Sequence, residues 1–179
     1  MEESLLHYNY AYGFQVRESK FSDLFGLHKL LNTCRLETPF ISRNDEDSEF
    51  KLSEVLGWLS YYKKSNKAKI YVLAYFGEII GCFTVKRDNS SGKYNGYFSI
   101  MIKRKYWSRG YGHLVIPLIL RCAASLHIRS LYAIVHGTNE RALKLYKDFD
   151  FEEALRQVNY YTYKCTHSDK VTLMHEIEV

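Results

Sequence analysis

Little in this sequence breaks a chain or staples one. There are only 2 prolines and 10 glycines in 179 residues, so collagen-like repeats and proline-rich linkers are excluded. The cysteines, Cys34, Cys82, Cys122 and Cys165, stand far apart, and no C-x-x-C pair or Cys/His cluster occurs. No ligand set for structural zinc exists, and no metal is expected. Charge of one sign is also scarce. The 25 Lys and Arg against 20 Asp and Glu give a formal net charge of +5, without the dense basic stripe of a dedicated nucleic-acid domain. No apolar run reaches the ~18 residues of a membrane span. Met1 to Tyr12 carries two Glu and a His and has no signal-peptide core. A cytoplasmic protein with reduced thiols is therefore expected.

What is present is apolar and aromatic: 46% and 16% of the chain, enough to bury a core. The length suits one domain, placed at residues 13–179 behind an N-terminal arm, 1–12. Gly13 to Glu18 reads as a first strand. Ser19 or Ser22 then caps a helix with Phe21, Leu24, Phe25, His28 and Leu31 at helical spacing. Cys34 to Phe50 reads as irregular, and Ser53 to Lys64 as a second helix with Val55, Leu56, Leu59 and Tyr62 on one side. Lys69 to Phe76 and Ile79 to Lys86 form a hairpin about Gly77-Glu78, and Tyr94 to Ile102 is a third long strand. Leu114 to Leu126 has a helical pattern, interrupted by Pro117, which predicts a kink or a later start. Leu131 to Val135 is a short strand. Asn139 to Phe149 is an amphipathic helix with Ala142, Leu143, Leu145, Tyr146 and Phe149 inward. Glu152 to Lys164 and Val171 to Val179 close the chain as strands. The order is β-α-α-β-β-β-α-β-α-β-β.

Trp107-Ser108-Arg109-Gly110-Tyr111-Gly112 joins a strand to a helix. Glycines there let the backbone approach a ligand. The free N–H groups of a helix's first turn then favour negative charge, as on a pyrophosphate. Lys103, Arg104, Lys105 and Arg109 add positive charge. Alone, the pattern also fits a tight helix entry in a basic turn. It is neither a Walker loop nor a dinucleotide fingerprint. Farther on comes Asn139-Glu140-Arg141-Ala142-Leu143-Lys144-Leu145-Tyr146-Lys147-Asp148-Phe149-Asp150-Phe151. Together the two segments resemble the GNAT superfamily of acyl-CoA-dependent N-acetyltransferases, whose [RQ]-x-x-G-x-[GA] loop and N-x-x-A-x-x-L-Y-x-x-x-G-F helix they match. The turn Phe76-Gly77-Glu78-Ile79-Ile80-Gly81 looks like the family's second-to-third strand turn, and the element order agrees from Gly13 to Val179. Tyr106-Trp107-x-x-Gly110-Tyr111 and Leu131 to Val135 look most like the branch of ribosomal-protein N-terminal and spermidine acetyltransferases.

The resemblance implies an α/β (α+β) fold: a single domain with a mixed, mostly antiparallel sheet of about seven strands and helices on both faces. It implies acetyl-CoA as cosubstrate. Ile100 and Ile102 would pair with the pantetheine arm; Trp107, Ser108, Arg109, Gly110, Tyr111, Gly112 and His113 would hold the pyrophosphate, and Asn139 would contact the cofactor. Asn139 also suits a helix N-cap. Trp107 stands where Arg or Gln is usual, though its indole N–H can donate. Ser108 replaces a frequent Gly, tolerable at negative φ. Asp150 replaces a Gly, and Asp tolerates a left-handed turn. Tyr146 matches the phenol that protonates the departing thiolate; a core Tyr is the alternative. Tyr97 occupies the position of the usual Glu base, which leaves His136, after the fifth strand, as candidate base, with a surface His or a water relay as alternatives. Glu78 and Asp88 are expected at solvent-exposed hairpin ends.

The expected acceptor is a primary amine, cationic if the acidic segment Glu37 to Glu49 steers it; a solvated loop is the other reading. Tyr160, Tyr161 and Tyr163 either line a wall or pack on a sheet. A non-catalytic acyl-CoA-binding module is the rival function. Nucleic-acid binding through Lys103 to Arg109 leaves the glycines unexplained. The resemblance leaves homodimerisation open.

Overall fold

The structure, a computed structural model, describes residues 8–10, 13–41, 49–88, 94–163 and 166–177. Their elements are β1 (Tyr8–Tyr10), β2 (Phe14–Glu18), α1 (Leu24–Glu37), α2 (Leu52–Lys64), β3 (Ala68–Tyr75), β4 (Glu78–Arg87), β5 (Asn95–Ile102), α3 (Tyr111–Ser125), β6 (Ser130–His136), α4 (Glu140–Lys147), β7 (Glu152–Tyr163) and β8 (Thr166–Glu176). Single 3-10 turns precede α1 and follow β5. The described strands form one sheet in the order β1-β2-β3-β4-β5-β6-β8-β7. Among them only β5 and β6 pair in parallel. The predicted element order is observed, with β1 added on β2 from within the segment read as an arm.

Two apolar clusters sandwich the sheet. α3, α4 and the residues Leu73, Phe83, Phe98, Leu131 and Val171 share one. α1, α2 and Ile70, Val72, Ile79 and Cys82 share the other. Period-2 alternation sends successive strand residues to opposite clusters, as Tyr71 and Val72 do. In α1 the buried set is Leu27, Leu30, Leu31 and Cys34, one helical face at i, i+3, i+4 and i+7.

Several local expectations are corrected. Phe21 and Phe25 are exposed, because the chain makes a 3-10 turn at Phe21–Asp23 before α1 begins and so rotates the face. Neither Ser19 nor Ser22 caps that turn; the Asp23 carboxylate accepts the Lys20 N–H at 2.7 Å. α1 continues to Glu37, so Cys34 is helical. Leu56 is exposed. The hairpin turns on Phe76-Gly77, both left-handed at φ 46° and 81°, one residue earlier than read. α3 starts at Tyr111 and runs through Pro117, which is solvent-exposed. The ~3 kcal/mol of an internal proline is outweighed by burial of Val115, Ile116, Leu118 and Ile119, each contributing ~1.5–3 kcal/mol.

Candidate active site

The sheet opens between β5 and β6. They pair only at Asn95–Ser130, Gly96–Leu131 and Tyr97–Tyr132. Beyond that, β5 stays with β4 up to Ile102 and β6 stays with β8 up to His136. The wedge left between them is a cavity of about 510 Å³. One bank is Phe98 to Ile102; the other is Ile134, Val135 and His136; the ends of α1, α3 and α4 complete it.

The β5 bank presents main chain. The Lys103 N–H donates to the Ile80 carbonyl at 2.9 Å, and bonded pairs alternate along an antiparallel ladder. The peptide groups of Ile100 and Ile102, opposite Phe83 and Gly81, therefore face the wedge. The Ile102 carbonyl is already engaged: the Trp107 Nε1–H donates to it at 2.7 Å. The Trp107 N–H group anticipated for a ligand thus closes the end of β5.

The glycine loop enters α3 at the outer end. Gly110 is left-handed at φ 81° and caps the helix; nothing lies within 4 Å of the place a Cβ would occupy. The N–H groups of Tyr111, Gly112 and His113 begin the helix and have no acidic residue among them. Gly112 serves packing instead, since a Cβ there would meet Leu145 Cδ2 at 2.8 Å. Ser108 has φ 55°, which corrects the expected negative value: the loop demands a left-handed residue two places before Gly110. Asp150 is left-handed at φ 58°, as expected. Ser108, Gly110, Tyr111, Gly112 and His113 all line the cavity, whereas Arg109 does not. The Arg109 guanidinium lies 5.8 Å from the Tyr106 ring. His113 Nε2 is 3.1 Å from Asp148 Oδ2.

This loop is tied down from behind. Glu78 opens β4 and accepts bonds from Lys103 Nζ at 2.6 Å, Lys105 Nζ at 3.2 Å and the Tyr106 hydroxyl at 3.3 Å. The Lys103 and Lys105 partners hold its carboxyl down, at about 2. Glu78 is exposed, as expected of a hairpin end, but it is a tether, and a carboxylate held this low is a poor proton acceptor. Glu37, at the end of α1, accepts the Arg104 N–H at 2.6 Å. It is therefore committed to the loop.

On the opposite bank, Asn139 caps α4: its Oδ1 accepts the Ala142 N–H at 3.3 Å, while the residue also lines the cavity. Two turns later Tyr146 is buried at 5% exposure, edge-on to Phe98 with ring centroids 5.3 Å apart. It too lines the cavity, and burial drives its phenol pKa up. His136 ends β6, stacked on Tyr161 at 3.7 Å and 5.6 Å from Phe40. Burial pushes its imidazole pKa down. Tyr161 reaches His136 because β7 bulges between Gln157 and Tyr161, with Asn159 left-handed at φ 53°. Tyr160 is edge-on to Tyr161 and exposed. Tyr97 is exposed beside Tyr132 where the wedge begins. Asp45, Glu46, Asp47 and the Tyr163 side chain lie outside the described residues.

The structure thus brings Ile100, Ile102, Trp107, Ser108, Gly110 to His113, Asn139, Tyr146 and His136 to one cavity and leaves out Arg109. Among the lining residues not anticipated from the sequence, two bear on the site, Phe40 and Arg141. Phe40 falls in a stretch without periodicity. Arg141 sits in the first turn of α4, where a charge ordinarily signals only a solvated face.

A family model described as Acetyltransferase (GNAT) family matches residues 27–151. No curated protein sequence matches the chain significantly. Among solved structures, a GNAT family acetyltransferase from Streptococcus pneumoniae is 24% identical, covers 92% of this chain and 99% of its own, and superposes with a TM-score of 0.83. Spermidine N-acetyltransferase from Vibrio cholerae, in complex with CoA and spermine, is 18% identical over 92% of this chain and 96% of its own, TM-score 0.76. A GNAT superfamily phosphinothricin acetyltransferase from Sinorhizobium meliloti, in complex with acetyl-CoA, is 15% identical over 92% and 89%, TM-score 0.81. These neighbours span more than one branch of acetyltransferases.

Proposed function

Because the chain belongs to the acetyltransferase (GNAT) family, we propose that it transfers an acetyl group from acetyl-CoA to a primary amine by direct attack within a ternary complex. The observation that carries this reading is the cavity itself. It joins a free helix N-terminus, outward-turned β5 peptides and a buried phenol. A long, extended ligand with a polyphosphate at one end fits that set of donors. Neighbours of the same fold in complex with CoA and spermine, or with acetyl-CoA, support the pairing of cosubstrate and amine.

Acetyl-CoA supplies the acyl group as a thioester. The first turn of α3 and the loop Ser108 to Gly110 bind its pyrophosphate through N–H groups. Ile100 and the Ile102 N–H pair with the amide-bearing arm, and Asn139 flanks it. His136 takes the proton of the acceptor ammonium. The transfer is uphill in water, because a lysine-like amine has a pKa of ~10.4 and imidazole one of ~6.5. Burial of the ammonium against Phe40, Ile134 and Tyr161 lowers its pKa and narrows that difference. Tyr146 keeps its proton at neutral pH and gives it to the departing sulfur. The acceptor we favour is cationic, as in the ribosomal-protein and spermidine branch that the Tyr106 to Tyr111 motif resembles.

The test is a panel of primary amines with acetyl-CoA, read by thiol release. Tyr146→Phe should lower kcat by the ~10²–10⁴-fold typical of general acid catalysis and leave acetyl-CoA binding unchanged. Wild-type turnover in the variant, with chemistry rate-limiting, would make Tyr146 a packing residue. Binding of acetyl-CoA without turnover of any amine would favour the non-catalytic module.

A further inference from the structure

The outer end of the wedge is closed by a contact between its two banks. Trp107 follows β5 and is fastened to it by the Nε1–H bond to Ile102. Arg141 belongs to α4, on the β6 bank. Its guanidinium carbon lies 3.2 Å from the centroid of the Trp107 ring, and both residues line the cavity. Arg104 approaches the same ring at 5.8 Å. Among the described residues, neither arginine has a carboxylate partner. Glu37 is bonded to the Arg104 main chain. Burial, and then the charge of Arg104, push the Arg141 pKa down, so Arg141 sits in a locally positive field. That field is completed by the N-terminus of α3.

A guanidinium in this setting has a better partner than an indole face. A phosphate accepts two parallel N–H bonds from it and neutralises the surplus charge. We propose that Arg141 is a further cosubstrate-binding residue, which lies on Trp107 across the mouth of the wedge in the free protein and transfers to a phosphate of acetyl-CoA on binding. This inference rests on the acetyl-CoA reading above. The ligand's preference for the transferred state is the phosphate contact, which supplies the differential affinity that any such change requires. Trp107 stays in place on Ile102, so the β5 bank is undisturbed. Arg141 touches no reacting atom; it governs how long the cosubstrate stays.

The chain has 2 tryptophans, so Trp58→Phe leaves Trp107 as the only indole reporter. In that background, saturation with acetyl-CoA should change the emission of Trp107. A further Arg141→Ala substitution should alter emission without ligand, abolish the ligand response, and speed acetyl-CoA release in stopped flow by about tenfold, the weight of one charge-assisted bond. Arg141→Lys keeps the charge without the planar fork and should also release the ligand faster. Emission that ignores the ligand while the melting temperature reports binding would overturn the proposal and leave the acetyl-CoA reading standing. So would wild-type release from the Arg141→Ala variant. A melting temperature indifferent to acetyl-CoA would overturn both.

Discussion

Tyr146 and His136 face one cavity from different elements, and burial acts on both in the same physical sense. Removal from water penalises whichever form is charged. It therefore raises the phenol pKa and lowers that of the imidazole. At neutral pH one group holds a proton and the other lacks one, as the proposed acid and base require. The sign for activity follows. His136 accepts a proton only when neutral, which is the case above its lowered pKa. On acidification kcat/KM should hold through pH 6.5, the ordinary histidine value, and fall only below it. His136→Gln should lower kcat/KM and remove that acidic limb. A limb unchanged in the variant would hand the base role to a water. Tyr146 was legible because Leu145-Tyr146 sits in an extended motif. His136 was legible only as the polar residue ending a buried strand; its neighbours Phe40 and Tyr161 come from segments distant in sequence, and one of them arrives through a bulge.

At the scale of elements, the loop between β5 and α3, and the packing of α3 against α4, explain why its two glycines are not equivalent. Gly110 needs its left-handed φ of 81° and has open space around it. Gly112 has an ordinary backbone and sits against Leu145, which lets α3 and α4 approach. Gly110→Ala should therefore cost roughly 1–2 kcal/mol of backbone strain. That lowers the Tm by ~2–4 °C per kcal/mol in a domain of this size, and acetyl-CoA binding should weaken with it. Gly112→Ala gains ~1 kcal/mol of helix propensity and spends ~0.5–1.5 kcal/mol displacing a flexible leucine tip. Its Tm should stay within ~3 °C of the wild type. Equal losses at both positions, measured by calorimetry, would refute this division. Periodicity located most long elements because they bury one face; β7, exposed from Glu152 to Tyr160, was found by its β-forming composition instead. It missed the boundaries set by single backbone turns. The 3-10 turn at Phe21–Asp23 rotated the inward face of α1, and the Phe76-Gly77 turn shifted a hairpin by one residue. Neither is encoded in hydrophobic spacing.

Across the whole molecule, the sheet is two half-sheets joined at three β5–β6 pairs. β1 to β5 carry α1 and α2, while β6 to β8 carry α4 and the long β7–β8 hairpin. α3 and its apolar cluster span the junction on one face. On the other side of the three pairs, side chains bridge the halves: Phe98 on Tyr146, Trp107 on Arg141 at the mouth, and the His136, Phe40 and Tyr161 rings within. A ligand bonded to β5 peptides and enclosed by α4 would act as a missing rung. By mass action, acetyl-CoA at 100 times its Kd adds ~2.7 kcal/mol to the stability of the whole domain. Its local signature should be uneven, because amides exchange through local openings as well as global unfolding. Protection against hydrogen exchange should rise most at Ile100, Ile102 and the first turn of α3, whose N–H groups face the wedge. It should rise least at the Glu18 and Tyr71 end of β2–β3, which is already paired on the far side of the sheet. A uniform gain over all amides would mean that the ligand merely suppresses global unfolding. A gain confined to β5 and α3 would show that the two halves breathe at this seam.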